Sequence, residues 1–160
     1  MKLKPENLTV LVDTREQNPF SLEPMKIKKT GLITGDYTLE GLEEIVLVER
    51  KELSDLVGCI TSGRERFERE LLRMKAYPSK CVVVEGGWSE LESGSYRSRV
   101  NPKAVTHTIA SWISRYGVPF QFCGCRQYAQ EFTQYFLFTS AKRVHGYLEN
   151  SFSEILRQAS

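Results

Sequence analysis

The run Ile45-Val46-Leu47-Val48-Glu49-Arg50-Lys51 sets four apolar, mostly β-branched residues directly before three consecutive charges. The first four read as a buried strand. A core accepts charges at the end of such a strand only where they are paired or put to use. Side chains alternate along a strand, so Glu49 and Lys51 share one face, roughly 7 Å apart, while Arg50 points to the other. Upstream, residues 36–40 read as a second strand, and residues 41–44 are long enough to turn a hairpin. In a symmetric register Glu40 pairs with Ile45, and Asp36 falls opposite Glu49. Two carboxylates then face each other, which is unfavourable unless a cation lies between them. A hard, oxygen-preferring ion such as Mg2+ or Mn2+ meets that need. Asp55 follows Lys51 by four residues, in the first turn of an expected helix, and can return to the same region.

Gly35-Asp36, then Glu49-Arg50-Lys51, then Asp55 after three intervening residues, resembles the G-D…E-R-K-x-x-x-D signature of the XPF/Hef-type structure-specific endonucleases, a branch of the restriction-endonuclease-like superfamily. Asp13-Thr14-Arg15-Glu16 is similar to the D-x-R-E run near the start of that nuclease domain. The resemblance extends over about residues 8–150 and implies an α/β fold of three layers, a central mixed β-sheet flanked by helices, with residues 1–160 forming one nuclease domain. It implies a metal-dependent DNA endonuclease that hydrolyses phosphodiester bonds at branched, flap or single-strand/double-strand junction DNA, in repair or recombination.

In that reading Asp36 and Glu49 hold Mg2+ or Mn2+, aided by Asp13 and the backbone carbonyl of Arg50. Lys51 orients the attacking water, and Asp55 completes the catalytic set. Arg50 either is redirected to the substrate by a bulge or the helix start, or pairs with Asp55 and locks the strand-to-helix junction. The rival reading is a non-catalytic DNA-binding or dimer-partner subunit of such a nuclease. A dead partner usually loses part of Asp36, Glu49, Lys51 and Asp55, all present here. A sequence-specific restriction enzyme with the same core is a third reading, and it predicts cutting set by base sequence.

At 160 residues the chain suits one domain with a full core. Hydrophobic content of 41% and charged content of 26% are ordinary for a soluble globular protein. A net charge of +2 is too small to argue nucleic-acid binding from the total, so local patches carry that argument. No run approaches a membrane span and the N-terminus lacks the apolar stretch of a signal peptide. The expected location is intracellular: the cytoplasm or nucleoid of a prokaryote or a phage-infected cell, or the nucleus of a eukaryote, with no membrane partner. The four cysteines form no CxxC pair and only two histidines accompany them, which favours reduced thiols over a zinc site.

In chain order, residues 8–12 form a first strand that delivers Asp13 to its end, and residues 25–29 alternate like a half-exposed edge strand. Residues 64–75 read as an amphipathic helix burying Phe67, Leu71 and Met74. Its Gly63-Arg64 start is similar to a Gly-Arg that family members carry, which places Arg64 and Arg66 among the candidates for DNA phosphates, with Arg15. Residues 80–85 form a buried strand that brings Glu85 towards the metal site if it runs parallel to its neighbour. The loop 93–99 adds Arg97 and Arg99, with Tyr96 as a stacking residue beside them. Asn101-Pro102 opens a helix to Tyr116 with an apolar stripe of Val105, Ile109, Trp112, Ile113 and Tyr116, stopped by Gly117. Residues 118–123 return as a strand. Residues 126–149 form an aromatic-rich helix covering more circumference than one core needs. XPF-type nuclease domains are similar in pairing through late helices, which implies a homodimer or a partner protein there. Within the 160 residues no segment reads as the tandem helix-hairpin-helix module of most such enzymes, so a junction preference needs a partner chain, a dimer or the loops named above.

Overall fold

Four strands precede the first long helix of the computed structural model, which describes residues 2–158. They are β1 (Thr9–Asp13), β2 (Lys26–Thr30), β3 (Tyr37–Leu39) and β4 (Val46–Glu52). Helices α1 (Leu53–Ile60) and α2 (Arg64–Met74) lead to β5 (Ser79–Glu85), the short α3 (Trp88–Ser93), α4 (Pro102–Tyr116), β6 (Phe120–Phe122) and finally α5 (Arg126–Gln158). The six strands form one sheet in the order β2-β1-β3-β4-β5-β6. Strand β3 is antiparallel to both β1 and β4, whereas β1–β2, β4–β5 and β5–β6 are parallel, so the sheet is mixed.

The hairpin register is the one its four-residue turn demands, with Tyr37 opposite Val48. At the end of that ladder the Asp36 N–H donates to Val48 O at 2.9 Å, so Asp36 reaches the strand that carries Glu49. Strand β2 is the exposed edge, and its lysines blunt that edge against pairing with another chain. Strands β4 and β5 are buried on both faces over most of their length, as continuous apolar runs require.

Helices cover both faces, giving three layers. On one face Leu47, Val82 and Val84 pack with α1, α2 and α4 around Phe67 and Trp112, whose rings meet edge-on with centroids 5.2 Å apart. On the other, Val46, Val48, Cys81 and Val83 pack with α5 and with Phe20 and Leu22 of the β1–β2 crossover. Helix α4 has the expected ends: Asn101 accepts the Lys103 N–H at 2.9 Å, and Gly117 takes the left-handed conformation that stops it. Within α4, Val105, Ile109, Trp112 and Tyr116 are buried, but Ile113 is 40% exposed, because it lies beside that stripe and not on it.

Helix α5 is longer than its sequence suggests, continuing to Gln158. It meets the sheet through Leu137 and the small Ala129, Thr133, Ser140 and Ala141, which allow close approach, while Tyr128, Tyr135 and Tyr147 face outwards. Among the described residues no helix is long and apolar enough to cross a membrane.

Candidate active site

Alternation along β4 splits its terminal charges between two faces. Glu49, only 3% exposed, and Lys51 face the α1–α2 side, where Lys51 Nζ contacts Glu49 Oε1 and lies 5.2 Å above the Phe67 ring. Asp36 enters from the end of β3 and is fixed by a backbone donor, the Arg50 N–H at 2.8 Å from its Oδ2. Gly35 makes that approach possible. Its φ is +74°, and a Cβ there would run into the Leu47 side chain.

Burial pushes the Asp36 carboxyl up to about 6, against the opposing pull of the Arg50 N–H and Lys51. Glu49 is driven well above the usual carboxylate range, first by burial and then by the charge of Asp36. Burial works against the Lys51 ammonium, yet the neighbouring Glu49 holds its pKa above the ordinary lysine value. The result is an acid pair, Glu49 buried and Asp36 partly so, with one cation beside it at the C-terminal end of β4.

Arg50 takes the other face and is not paired with Asp55. Its Nε contacts Glu85, its Nη1 lies 3.2 Å from Glu16 Oε2, and its Nη2 lies 3.2 Å from Glu52. Arg126, at the start of α5, shares the same Glu85 oxygen at 3.0 Å and bonds the carbonyls of Asn18 and Pro19. Both guanidinium groups sit over the Phe20 ring, at 5.5 and 5.0 Å. This network binds β4, β5, α5 and the β1–β2 crossover together. Glu85 is therefore committed to the arginines on the face opposite Glu49, even though β5 does run parallel to β4.

Asp13 is not brought into the acid pair. Its Oδ1 accepts the Arg15 N–H at 2.9 Å and Arg15 Nε at 2.6 Å, and its Oδ2 accepts the Leu32 N–H at 2.7 Å. Burial alone would raise its pKa, but these donors hold it below the ordinary value. Arg15 and Glu16 thus pair with Asp13 and Arg50 and not with each other. Asp55 stays exposed in the first turn of α1, where its charge complements the helix N-terminus, and takes no part in the contacts of Asp36, Glu49 and Lys51.

The remaining basic candidates are exposed. Arg64 pairs with Glu68 at 3.1 Å, and Arg66 lies on the same helix. Arg97 lines a cavity with Glu52, Ser54 and Glu85 at the C-terminal end of β4 and β5, and Arg99 follows in the same loop. Tyr96 is not free for stacking, since its hydroxyl donates to Val100 O at 2.9 Å and its ring packs on the core.

One acid escaped the sequence reading. Glu70 Oε1 accepts from Gly35 N and Thr34 Oγ1, each at 3.4 Å, so α2 supports the loop that delivers Asp36. Its charge also helps to raise both Asp36 and Glu49. The signal was present: residue 70 belongs to the same helical stripe as the buried Phe67, Leu71 and Met74, where an acid is out of place.

Among the described residues no three His, Cys, Asp or Glu side chains gather into a ready metal cage. Asp36 and Glu49 nevertheless fit a hard divalent ion, since burial raises the proton affinity of both carboxyls and the charge of Asp36 raises that of Glu49 further, so both gain from a cation. Mg2+ typically takes one or two protein carboxylates and fills its other positions with water and phosphate oxygens.

The ERCC4 domain family model matches residues 12–136 of the chain. Two solved structures share its fold. XPF from Aeropyrum pernix superimposes with a TM-score of 0.68 at 23% identity, covering 82% of this chain and 61% of that one. XPF from Aeropyrum pernix in complex with DNA gives 0.66 at 22% identity, covering 85% and 66%. The chain therefore spans less than two thirds of either relative's length, and the shared architecture is the restriction-endonuclease-like α/β fold. Comparison with curated proteins gives no significant match.

Proposed function

Because the chain belongs to the ERCC4 domain family, we propose that it is a metal-dependent DNA endonuclease that hydrolyses phosphodiester bonds at branched or single-strand/double-strand junction DNA. The observation that carries this reading is the Asp36–Glu49 pair, Glu49 buried and Asp36 partly so, with Lys51 against Glu49 at the C-terminal end of β4. Asp36 and Glu49 would hold Mg2+ or Mn2+, which supplies Lewis acidity to the scissile phosphate and lowers the pKa of water.

The chain's own groups do the rest. Glu49 anchors the Lys51 ammonium, which orients the attacking water and offsets the negative charge that builds on the phosphate. The Arg50 N–H holds Asp36 in place, and the Arg50 side chain stabilises the strand end from the opposite face. Arg15, Arg64, Arg66, Arg97 and Arg99 would contact backbone phosphates, positioning DNA without reading its sequence. The DNA-bound state of the Aeropyrum pernix relative supports the substrate class. Pairing with a second chain through the exposed side chains of α5 belongs to the same proposal.

The test is cleavage of labelled flap, splayed-arm and plain duplex DNA with Mg2+ or Mn2+, beside Asp36→Asn and Lys51→Ala. Metal-dependent cutting near the junction, lost in both variants, is expected. Binding without cutting under either metal would leave the non-catalytic subunit reading in its place.

A further inference from the structure

Two buried helix hydroxyls of this chain give their protons back to their own helix. Thr108 donates to Ala104 O and Thr133 to Ala129 O, each at 2.8 Å. Ser140, buried on α5, makes no such bond. Among the described residues no sealed side-chain oxygen lacks a partner, so the Ser140 hydroxyl opens onto space. That space is a cavity of about 250 Å³ between the start of β5 and α5, which Ser140 lines together with Ser79, Phe136, Thr139 and Arg143.

These side chains bring donors to spare. Arg143 Nη2 donates to Ser79 Oγ at 2.6 Å, so the Ser79 hydroxyl keeps its own proton free. The Arg143 guanidinium carries five N–H groups and, among the described residues, pairs with no carboxylate. Arg15, Arg50 and Arg126, by contrast, are each tied to an acid. Thr139 adds a third hydroxyl beside Ser140. Lys80 also borders the cavity, but strand alternation turns it to the other face, where its Nζ bonds Lys75 O at 3.1 Å. The lining holds no acid, so one guanidinium and three hydroxyls converge with no fixed acceptor. An oxyanion supplies acceptors to all of them, and the planar fork of arginine matches two oxygens of a phosphate. The half-buried Phe136, stacked on Phe132 with centroids 6.1 Å apart, adds a flat apolar wall.

We propose that this cavity is a phosphate-binding site, separate from the acid pair, that takes one phosphate group of a nucleotide and sets its sugar or base against Phe136. Ser79 opens β5 on the α5 face, whereas Lys51 lies beside Val84 and points to the α1–α2 face. The two places are five residues of strand apart, roughly 17 Å, on opposite sides of the sheet. A phosphate held here is therefore not the one a metal at Asp36 and Glu49 would polarise. It belongs either to a DNA strand that continues past the acid pair or to a free nucleotide, since both present the same oxygens. The site stands whether or not the chain cuts DNA.

The test follows amide NMR spectra of the full chain in EDTA, which keeps the acid pair free of metal, during titration with inorganic phosphate, adenosine monophosphate and a single-stranded oligothymidylate. Saturable shifts at the Ser79 and Ser140 amides are expected. Arg143→Gln should weaken binding about tenfold, the loss of a charge-assisted contact, and Ser140→Ala by a smaller factor. Lys142→Gln removes an exposed cation next in sequence but outside the cavity, and should leave binding unchanged. Tighter binding of the oligonucleotide, with the same response to the variants, would assign the site to a DNA strand, and binding of adenosine monophosphate at least as tight would assign it to a free nucleotide. Thermal melts check that the variants are folded, and if Arg143→Gln melts lower, Ser140→Ala carries the comparison. No saturable shift at Ser79 and Ser140 with any probe, or equal weakening by Lys142→Gln and Arg143→Gln, would overturn the site and leave the catalytic reading untouched.

Discussion

At the scale of single residues, the acid pair is maintained at a cost to the fold. Asp36 titrates near 6 instead of its ordinary 3.8, so the native state favours its protonated form. Its folded pKa lies above the unfolded one, and the destabilisation is therefore full above about 6 and fades as the pH falls through 6 towards 3.8. Asp36→Asn should raise stability at neutral pH, on the order of 1 kcal/mol or more, since the amide carries no charge for burial to penalise. The gain should vanish in acid, as thermal melts at several pH values would show. The Asn amide oxygen can still accept the Arg50 N–H, so a loss of stability instead would mean the charge is not the strained feature. Added Mg2+ should raise the melting midpoint of the wild type and leave that of Asp36→Asn unmoved.

At the scale of elements, α2 and the loop it supports decide where Asp36 lies. Glu70 raises the Asp36 pKa through its charge, so Glu70→Gln should lower that pKa while keeping an acceptor for Gly35 and Thr34. The acid limb of the pH profile for cleavage should then move to lower pH, and an unmoved limb would place Glu70 outside the site's electrostatics. Packing of α2 on α4 rests on Trp112, fully buried against Phe67, with its indole N–H 2.8 Å from Glu68. Trp112→Ala should cost about 3–5 kcal/mol, since the ring leaves a cavity and Glu68 loses a donor. Chemical denaturation measures it, and a cost below about 1 kcal/mol would show that the core closes over the gap.

At the scale of the whole molecule, the two faces of the sheet have separate tasks. One face carries the acid pair, and the other carries the arginine network that ties the start of α5 to the strands. Past Ala141 no residue of α5 is buried, while Tyr147, Leu148, Phe152, Ile155 and Leu156 are all exposed. Phe152, Ile155 and Leu148 recur at three- and four-residue spacing, the seam of a helix that pairs with another. If that seam joins two copies, light scattering should give twice the mass of one chain, and Phe152→Glu with Ile155→Glu should halve it. A wild type that stays at one chain's mass at all concentrations would remove the homodimer from the proposal.

Much of this was legible in the amino-acid order because it rests on local rules. Alternation in β4 separated Glu49 and Lys51 from Arg50, a four-residue turn placed Asp36 across from them, and Asn101-Pro102 with Gly117 bounded α4. Those rules act over a few residues, so a single chain read in order reveals them. The partners of Asp13, Arg50 and Glu70 were not legible in this way, because each reaches across many positions: Asp13 to Leu32, Arg50 to Glu85, Glu70 to Gly35. A charge carries no record of which distant opposite charge will neutralise it. Packing the helices onto the sheet decided that choice, assigning Asp13 to hold a loop, Arg50 to hold a strand end, and Asp36 with Glu49 to remain as the acid pair whose charge a metal ion would balance.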